Sequence, residues 1–255
     1  MRWQQRLKVS SDILSDGDRI VVVAETATTD DVICLEAATG GVLWQLPIAR
    51  PEYVEPEINM SAAVQDGKVY FAGLDGKLRA LDGTTGDILW ERPLGGPART
   101  STVLHGGSIY VALQSGELLR HSIASGALLG EHALGGLPRR PPALADSCVA
   151  VFVDWMRPQG TITVLDASLR AIRWRHAAPG PGTWTSARPF LWRDARRGDA
   201  LLVGTSQGEI LAFELATGQR RGSWLYGGTI RVIHVVDEVW YVGTVEGRLA
   251  ACTPE

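Results

Sequence analysis

Residues 69–94 read VYFAGLDGKLRALDGTTGDILWERPL. An alternating apolar run, Val69 to Gly73, meets the tight turn Leu74-Asp75-Gly76. A second run, Lys77 to Leu81, meets Asp82-Gly83-Thr84-Thr85-Gly86, and a third follows from Asp87 to Arg92. Period-two alternation broken by short Gly/Asp turns is the signature of half-buried antiparallel strands. Ahead of these, Ser61 to Gln65 supplies a strand of small residues ending at Asp66-Gly67. Four short strands in about 35 residues form one up-and-down sheet, which cannot bury both of its faces alone.

The rest of the chain repeats the unit. The first copy runs Ile13 to Leu46, with Thr39-Gly40 and then Trp44 four residues after the glycine. The second is the opening stretch, with Thr85-Gly86 and Trp90. A third spans Thr102 to Leu134 and has Ser125-Gly126, with Gly130 where tryptophan is expected. The fourth, Ala143 to Ala177, replaces Thr-Gly by Leu169-Arg170 and keeps Trp174; the fifth, Phe190 to Tyr226, has Thr217-Gly218 and Gly222. The repeat length, about 40 to 48 residues, is that of a four-stranded propeller blade. A sixth copy shows three strands, Val232 to Val236, Val239 to Gly243 and Arg248 to Cys252. Arg2 to Leu7, with Trp3 in the tryptophan position, matches the missing fourth.

The expectation is an all-β, six-bladed β-propeller of four-stranded antiparallel blades, one domain over 1–255. Its blades fall at approximately 9–47, 60–95, 100–135, 141–178, 188–227 and 230–255 plus 1–8. The N-terminal strand completes the C-terminal blade, which removes open sheet edges; matching ends point to a complete protein.

Composition narrows the function. The net charge is −3, so nothing global recruits nucleic acid or an anionic membrane. No stretch approaches the ~20 apolar residues of a membrane span. Lys8, Lys68 and Lys77 are the only lysines and Asn59 the only asparagine, a bias that fits a GC-rich bacterial genome. Cys34, Cys148 and Cys252 lie in separate repeats, which argues against a disulfide framework or a zinc site and for burial as small apolar residues. MRWQQRLKVS has no apolar h-region, so the expected location is cytoplasmic, although an exported domain of a longer chain fits equally.

Ala80-x-Asp82-x-x-Thr85-Gly86-x-x-x-Trp90 resembles the tryptophan-docking motif of the quinoprotein-like (PQQ repeat) β-propellers. Cys34-x-Glu36-x-x-Thr39-Gly40-x-x-x-Trp44 is a second copy, and Ala212-x-Glu214-x-x-Thr217-Gly218 keeps the first half. The resemblance implies that Thr-Gly closes the hairpin between the two outer strands and that each indole lies between neighbouring blades. The alcohol and glucose dehydrogenases of the family use larger propellers, usually of eight blades. They hold pyrroloquinoline quinone with calcium, generally in an exported protein, and the alcohol dehydrogenases add a vicinal disulfide. With no adjacent cysteines, no export signal and fewer blades, this chain resembles the binding and scaffold branch. That branch includes a propeller subunit of outer-membrane protein assembly and the sensor domains of some bacterial Ser/Thr kinases. Neither pyrroloquinoline quinone nor calcium is expected.

In such a fold the loops leading into the innermost strands, and those joining second and third strands, build one face. The longest are Pro47 to Met60, Leu137 to Pro142, Pro179 to Arg188, Glu25 to Asp31 and Asp154 to Gly160. Insertions on one face of a repeat array mark its binding face. Tyr53, Trp155, Arg157 and Trp184 are therefore the candidates for a protein or peptide partner, since exposed aromatics beside arginine resemble interface hot spots. Arg99, Arg139, Arg188 and Arg231 each fall just before an innermost strand and are candidates to hold a small acidic ligand at a channel mouth. The alternative to that role is pairing with Glu52, Glu55, Glu57 or backbone. His234 is the weak candidate for a general base in an enzyme using that mouth.

Other signals dissolve. Gly204-Thr-Ser-Gln-Gly208 fits G-x-S-x-G but reads as a hairpin turn, whereas the nucleophile elbow needs a strand-to-helix turn. The five histidines show no metal-ligand spacing. Gly95-Gly96, Gly135-Gly136 and Gly227-Gly228 are blade-exit turns, with no helix following to receive a phosphate.

Overall fold

The computed structural model describes residues 2–51, 60–138, 140–153, 160–177, 188–193 and 198–253. All regular structure among them is β-strand, in six antiparallel sheets. The first holds β1–β4 (Leu14–Asp16, Arg19–Glu25, Thr29–Glu36, Val42–Ala49), the second β5–β8 (Ala63–Gln65, Lys68–Ala72, Lys77–Asp82, Ile88–Pro93). The third holds β9–β12 (Val103–His105, Ser108–Ala112, Glu117–Ser122, Leu128–Ala133) and the fourth β13–β16 (Ala143–Ala145, Cys148–Val153, Thr161–Asp166, Ile172–Ala177). The fifth holds β17–β20 (Phe190–Trp192, Ala200–Gly204, Glu209–Glu214, Arg220–Leu225), and the sixth β21–β23 (Ile230–Val236, Val239–Thr244, Leu249–Cys252). Every strand pairs with its neighbour in sequence, so each sheet is a blade and the fold is the expected six-bladed β-propeller. The chain divides into two compact units, Met1–Ala133 and Leu134–Glu255, each with three sheets.

The two middle strands of a blade are buried on both faces, as the valine, isoleucine and leucine of β2, β3, β14 and β18 require. The fourth strand is half wet, and a bulge recurs in it. Trp44 pairs with Cys34 while Val42 pairs with Leu35, so Leu43 is the extra residue; Leu89, Leu129, Arg173 and Arg221 repeat the pattern. A bulge re-aims the next side chain and sharpens the twist. Here it stands immediately before the tryptophan station and leaves pairs such as Val42 and Leu43 both exposed.

The indoles then dock on the next blade. Trp3, Trp44, Trp90 and Trp174 cover Gly40, Gly86, Gly126 and Gly218, where an added methyl group would lie 2.5, 2.8, 2.7 and 2.7 Å from ring atoms. Each glycine has φ between +70° and +78°, so both the backbone and the ring demand a residue without a side chain. The indole nitrogens of Trp3, Trp44 and Trp174 donate to the carbonyls of Ala37, Gly83 and Leu215 at 2.9, 3.0 and 2.9 Å. An indole burying about 200 Å² contributes roughly 5 kcal/mol of gross transfer free energy. In the fourth blade, where Thr-Gly is absent, the buried Leu169 takes the positive φ (+65°) itself.

Residues 2–8 form no strand, and the sixth sheet has three strands among the described residues. The segment contacts the first blade. Trp3 and Leu7 cover Val22, Ala24, Ile33 and Leu35, Glu25 N donates to Lys8 O at 2.8 Å, and Ser10 N donates to Val23 O at 3.0 Å. Trp3 nevertheless holds the docking position read for it.

Candidate functional site

Strand register fixes which residues share a station at the approach to each innermost strand. The pairs Leu14↔Val21, Ala63↔Tyr70, Val103↔Tyr110 and Phe190↔Leu202 align Asp12, Ser61, Ser101 and Arg188. This station ties a blade to the one before it. Ser61 Oγ accepts from Asp12 N at 2.9 Å, Ser101 Oγ accepts from Ser61 N at 2.9 Å, and Arg188 Nη2 donates to Pro142 O at 2.9 Å. One residue further on, Thr102 Oγ1 accepts from Ala72 N at 3.0 Å. The buried amides of Ser61 and Ala72 would otherwise lack partners, at a cost of about 1–3 kcal/mol each.

The arginines singled out in the sequence occupy different stations. Arg99 is 6 % exposed, and its amide donates to Ala112 O at 2.7 Å. Arg188 lies two stations further on and is an inter-blade tie through Pro142. Arg231 is exposed at a bulge between Ile230 and Val232, inside β21 rather than before it. Arg139 lies outside the described residues, as do Tyr53, Trp155, Arg157 and Trp184. His234 is exposed on β21 opposite Tyr241, its ring edge-on to Phe190 at 6.0 Å. The Gly204–Gly208 segment is the expected turn, joining β18 to β19 with Gly208 at φ +81°. Cys34 and Cys148 are buried, and Cys252 is half-buried with its sulfur 2.7 Å from the Tyr226 hydroxyl.

Two charged clusters were not legible in advance. In the second blade Arg79, 6 % exposed, meets Asp75 through both terminal nitrogens (3.1 and 2.5 Å) and Glu91 through Nε at 2.8 Å, while Lys77 reaches Glu91 at 2.8 Å. Burial opposes the Arg79 charge, but the two carboxylates hold its pKa above the usual value. The Lys77 hydrogen bond, helped by Arg79, holds Glu91 below the carboxylate range. In the first blade Arg50 stands 3.4 Å from Glu25 and 3.5 Å from Asp30. Burial raises the Asp30 carboxyl, whereas the Lys8 hydrogen bond lowers Glu25. A groove of 570 Å³ bordered by Arg50, Asp75, Lys77, Pro93 and Pro97 runs between these clusters. A second, of 440 Å³, lies in the other unit between Phe190, Trp192, Asp199, Leu215 and Asp237.

Among the described residues no three His, Cys, Asp or Glu come together to ligate a metal, and the cysteines lie in three separate blades. No helix among the described residues is long and apolar enough to cross a membrane.

Leu249 is 78 % exposed, and Arg248, Ala250 and Ala251 are exposed beside it.

Comparison with known proteins agrees with this architecture. The crystal structure of BamB from Moraxella catarrhalis superposes with a TM-score of 0.79 at 18 % identity, over 98 % of this chain and 74 % of that one. The quinohemoprotein alcohol dehydrogenase of Comamonas testosteroni superposes with a TM-score of 0.65 at 13 % identity, over 96 % and 46 %. In sequence, 95 residues (36 % of the chain) are 33 % identical to a quinoprotein ethanol dehydrogenase of Pseudomonas putida. Another 63-residue match (25 % of the chain) is 41 % identical to the serine/threonine-protein kinase AfsK of Streptomyces coelicolor. These matches span 15 % and 8 % of the relatives' own lengths. The family model described as outer membrane protein assembly factor BamB matches residues 1–154, and the chain belongs to that PQQ_2 repeat family.

Proposed function

We propose that this protein is a non-catalytic propeller that offers its loop-rich face to a protein or peptide partner, in a scaffold, assembly or sensor role. The observation that carries the reading is the family match over residues 1–154, together with the likeness to a BamB structure along 98 % of the chain. Two features of the chain support it. Polar side chains at the approach to the innermost strands (Ser61, Ser101, Thr102 and Arg188) are engaged in tying blades together. The long loops with Tyr53, Trp155, Arg157 and Trp184 carry the residue types that anchor protein interfaces. Arg231, exposed at its bulge, favours a second reading in which the same face holds a small acidic ligand.

The test is affinity capture from native lysate, with protein and small molecules both identified. The wild type, a Trp155→Ala/Trp184→Ala variant and an Arg231→Glu variant would be compared. A protein held by wild type and lost from the tryptophan variant supports the docking reading. A small acid lost only from the arginine variant, with no protein enriched, overturns it in favour of the second.

A further inference from the structure

The two grooves differ in how their charges are used. On the border of the 570 Å³ groove Arg50 meets Glu25 and Asp30, Lys77 meets Glu91, and Asp75 meets Arg79, so each charge is answered within its own blade. On the border of the 440 Å³ groove Asp199, Asp237 and Glu238 are exposed and have no ion pair among the described residues. Arg193, on the same border, stands 3.7 Å from Asp146 in a pair open to solvent. Three carboxylates against one arginine leave this groove acidic.

The turn that carries two of the carboxylates is built against backbone preference. Val236 pairs with Val239, as Gln65 pairs with Lys68 and His105 with Ser108, so three blades join their first two strands by a two-residue turn. Both turn residues have positive φ in each: +51° and +69° at Asp66 and Gly67, +54° and +70° at Gly106 and Gly107, +48° and +66° at Asp237 and Glu238. Such a turn favours Asn-Gly, Asp-Gly or Gly-Gly. Two blades place glycine second, whereas the sixth places a glutamate whose Cβ opposes that conformation. No contact of the Glu238 carboxylate within the described residues offsets the strain. Strain that the fold does not need points to a use for the side chain.

The wall beside these carboxylates is aromatic and apolar. Phe190 and Trp192 are half-buried, and the buried Trp240 braces Trp192 edge-on with ring centres 5.2 Å apart. Leu144, Leu191 and Val235 complete the lining. A guanidinium suits both parts of such a border, because its plane stacks on an aromatic ring and its fork of donors meets carboxylates. The arginine stem and apolar neighbours then cover the aliphatic wall.

We propose that this groove docks an arginine, flanked by apolar residues, from an extended segment of a protein partner, with the guanidinium held by Asp237 and Glu238 beside Trp192. The groove is formed at the ends of β13, β17 and β21, where first strands turn into second strands, and not by the loops that lead into the first strands. It is a second surface, separate from the loops that carry Tyr53, Trp155 and Trp184.

The probe is the capped pentapeptide GLRLG, titrated into the full ¹⁵N-labelled chain beside a form with citrulline in place of arginine. Saturable shifts are expected at the Asp237 and Glu238 amides and the Trp192 indole, with the arginine form bound roughly three- to tenfold more tightly. The variant Asp237→Asn/Glu238→Gly gives the turn its favoured Asn-Gly pair and removes both carboxylates. It should melt at a higher temperature than wild type and bind the arginine form roughly three- to tenfold more weakly, so that lost binding is separated from lost folding. Equal binding of the citrulline form, or undiminished binding by the variant, overturns the proposal. Equal binding of acetyl-arginine amide would give the groove to a small guanidinium compound. Shifts that follow protein concentration without peptide would give it to a second copy, and binding seen only after Arg196→Gln/Arg197→Gln would give it to the chain's own arginines. Each of these three also overturns it, while the loop-face reading stands or falls separately on capture through Trp155 and Trp184.

Discussion

The indole of Trp44 rests on the backbone of Gly86 in the next blade, so closely that a methyl group there would lie 2.8 Å from the ring. Gly86 also has φ +78°, a conformation that costs an alanine about 1–2 kcal/mol by itself. Gly86→Ala should therefore lose roughly 2–4 kcal/mol, backbone strain plus overpacking. Gly95 is the control: its φ is +83° and nothing lies within 4 Å of an added methyl. Gly95→Ala should lose only the backbone part, about 1–2 kcal/mol. Urea unfolding of the two variants separates the terms, and equal losses would show that the indole contact contributes nothing.

Trp174 and Trp240 differ in a way that reverses the usual expectation from burial. Trp240 is fully buried against Trp192 and Trp224, yet its Nε1 has no acceptor among the described residues. Trp174 is slightly less buried and donates to Leu215 O. Trp174→Phe strands that carbonyl at about 1–3 kcal/mol beyond the lost packing. Trp240→Phe loses packing but also removes an unpaired polar group, so the smaller loss should fall at the more buried site. Paired denaturant melts check the order.

How far these relationships were readable from the sequence depends on how they are encoded. Turn glycines and tryptophans are local and repeat, so the blades and the docking of Trp3, Trp44, Trp90 and Trp174 were legible. The bulges at Leu43, Leu89 and Leu129 were not, because a bulge changes pairing without changing the apolar pattern. Ser61 and Thr102 read as ends of strands, but both lie just before strands and bond to a neighbouring blade. For Arg188 the sequence left a ligand-binding role and pairing with backbone both open, because the Pro142 carbonyl that it meets carries no side-chain signal.

Arg79 holds two carboxylates at a site from which it is itself nearly excluded from water. Removing one member of a buried ion cluster costs about 3–5 kcal/mol, because the remaining charges lose compensation. Arg79→Ala should fall in that range, and Lys77→Ala, at a pair open to solvent, should lose at most about 1 kcal/mol. Raising the salt from 0.05 to 0.5 M should shrink the Lys77 effect and leave the Arg79 effect nearly intact. Equal salt sensitivity would show that the Arg79 cluster is solvated.

His121 adds a pH dependence. In four other blades the same station holds Leu35, Leu81, Leu165 and Phe213, so a titratable ring stands where the fold asks for an apolar one. The Gly126 carbonyl, 2.9 Å from Nδ1, fixes that nitrogen as the donor and leaves Nε2 buried with a bare lone pair. Burial lowers the His121 pKa, against a smaller opposing effect of the Gly126 bond. Well above the ordinary histidine value both folded and unfolded chains hold the ring neutral, and His121 makes no pH-dependent contribution. Below it the unfolded chain takes up a proton that the folded chain refuses, so stability falls as the pH falls toward the lowered folded value. One such proton gives a slope of at most about 1.4 kcal/mol per pH unit. His121→Leu should keep most of its stability at pH 7.5 and lose less than wild type between pH 6.5 and 5. The other four histidines are common to both proteins and cancel in the comparison. Urea melts at pH 5, 6 and 7.5 measure the two slopes, and parallel slopes would mean that His121 takes up its proton in the folded chain as readily as in the unfolded one.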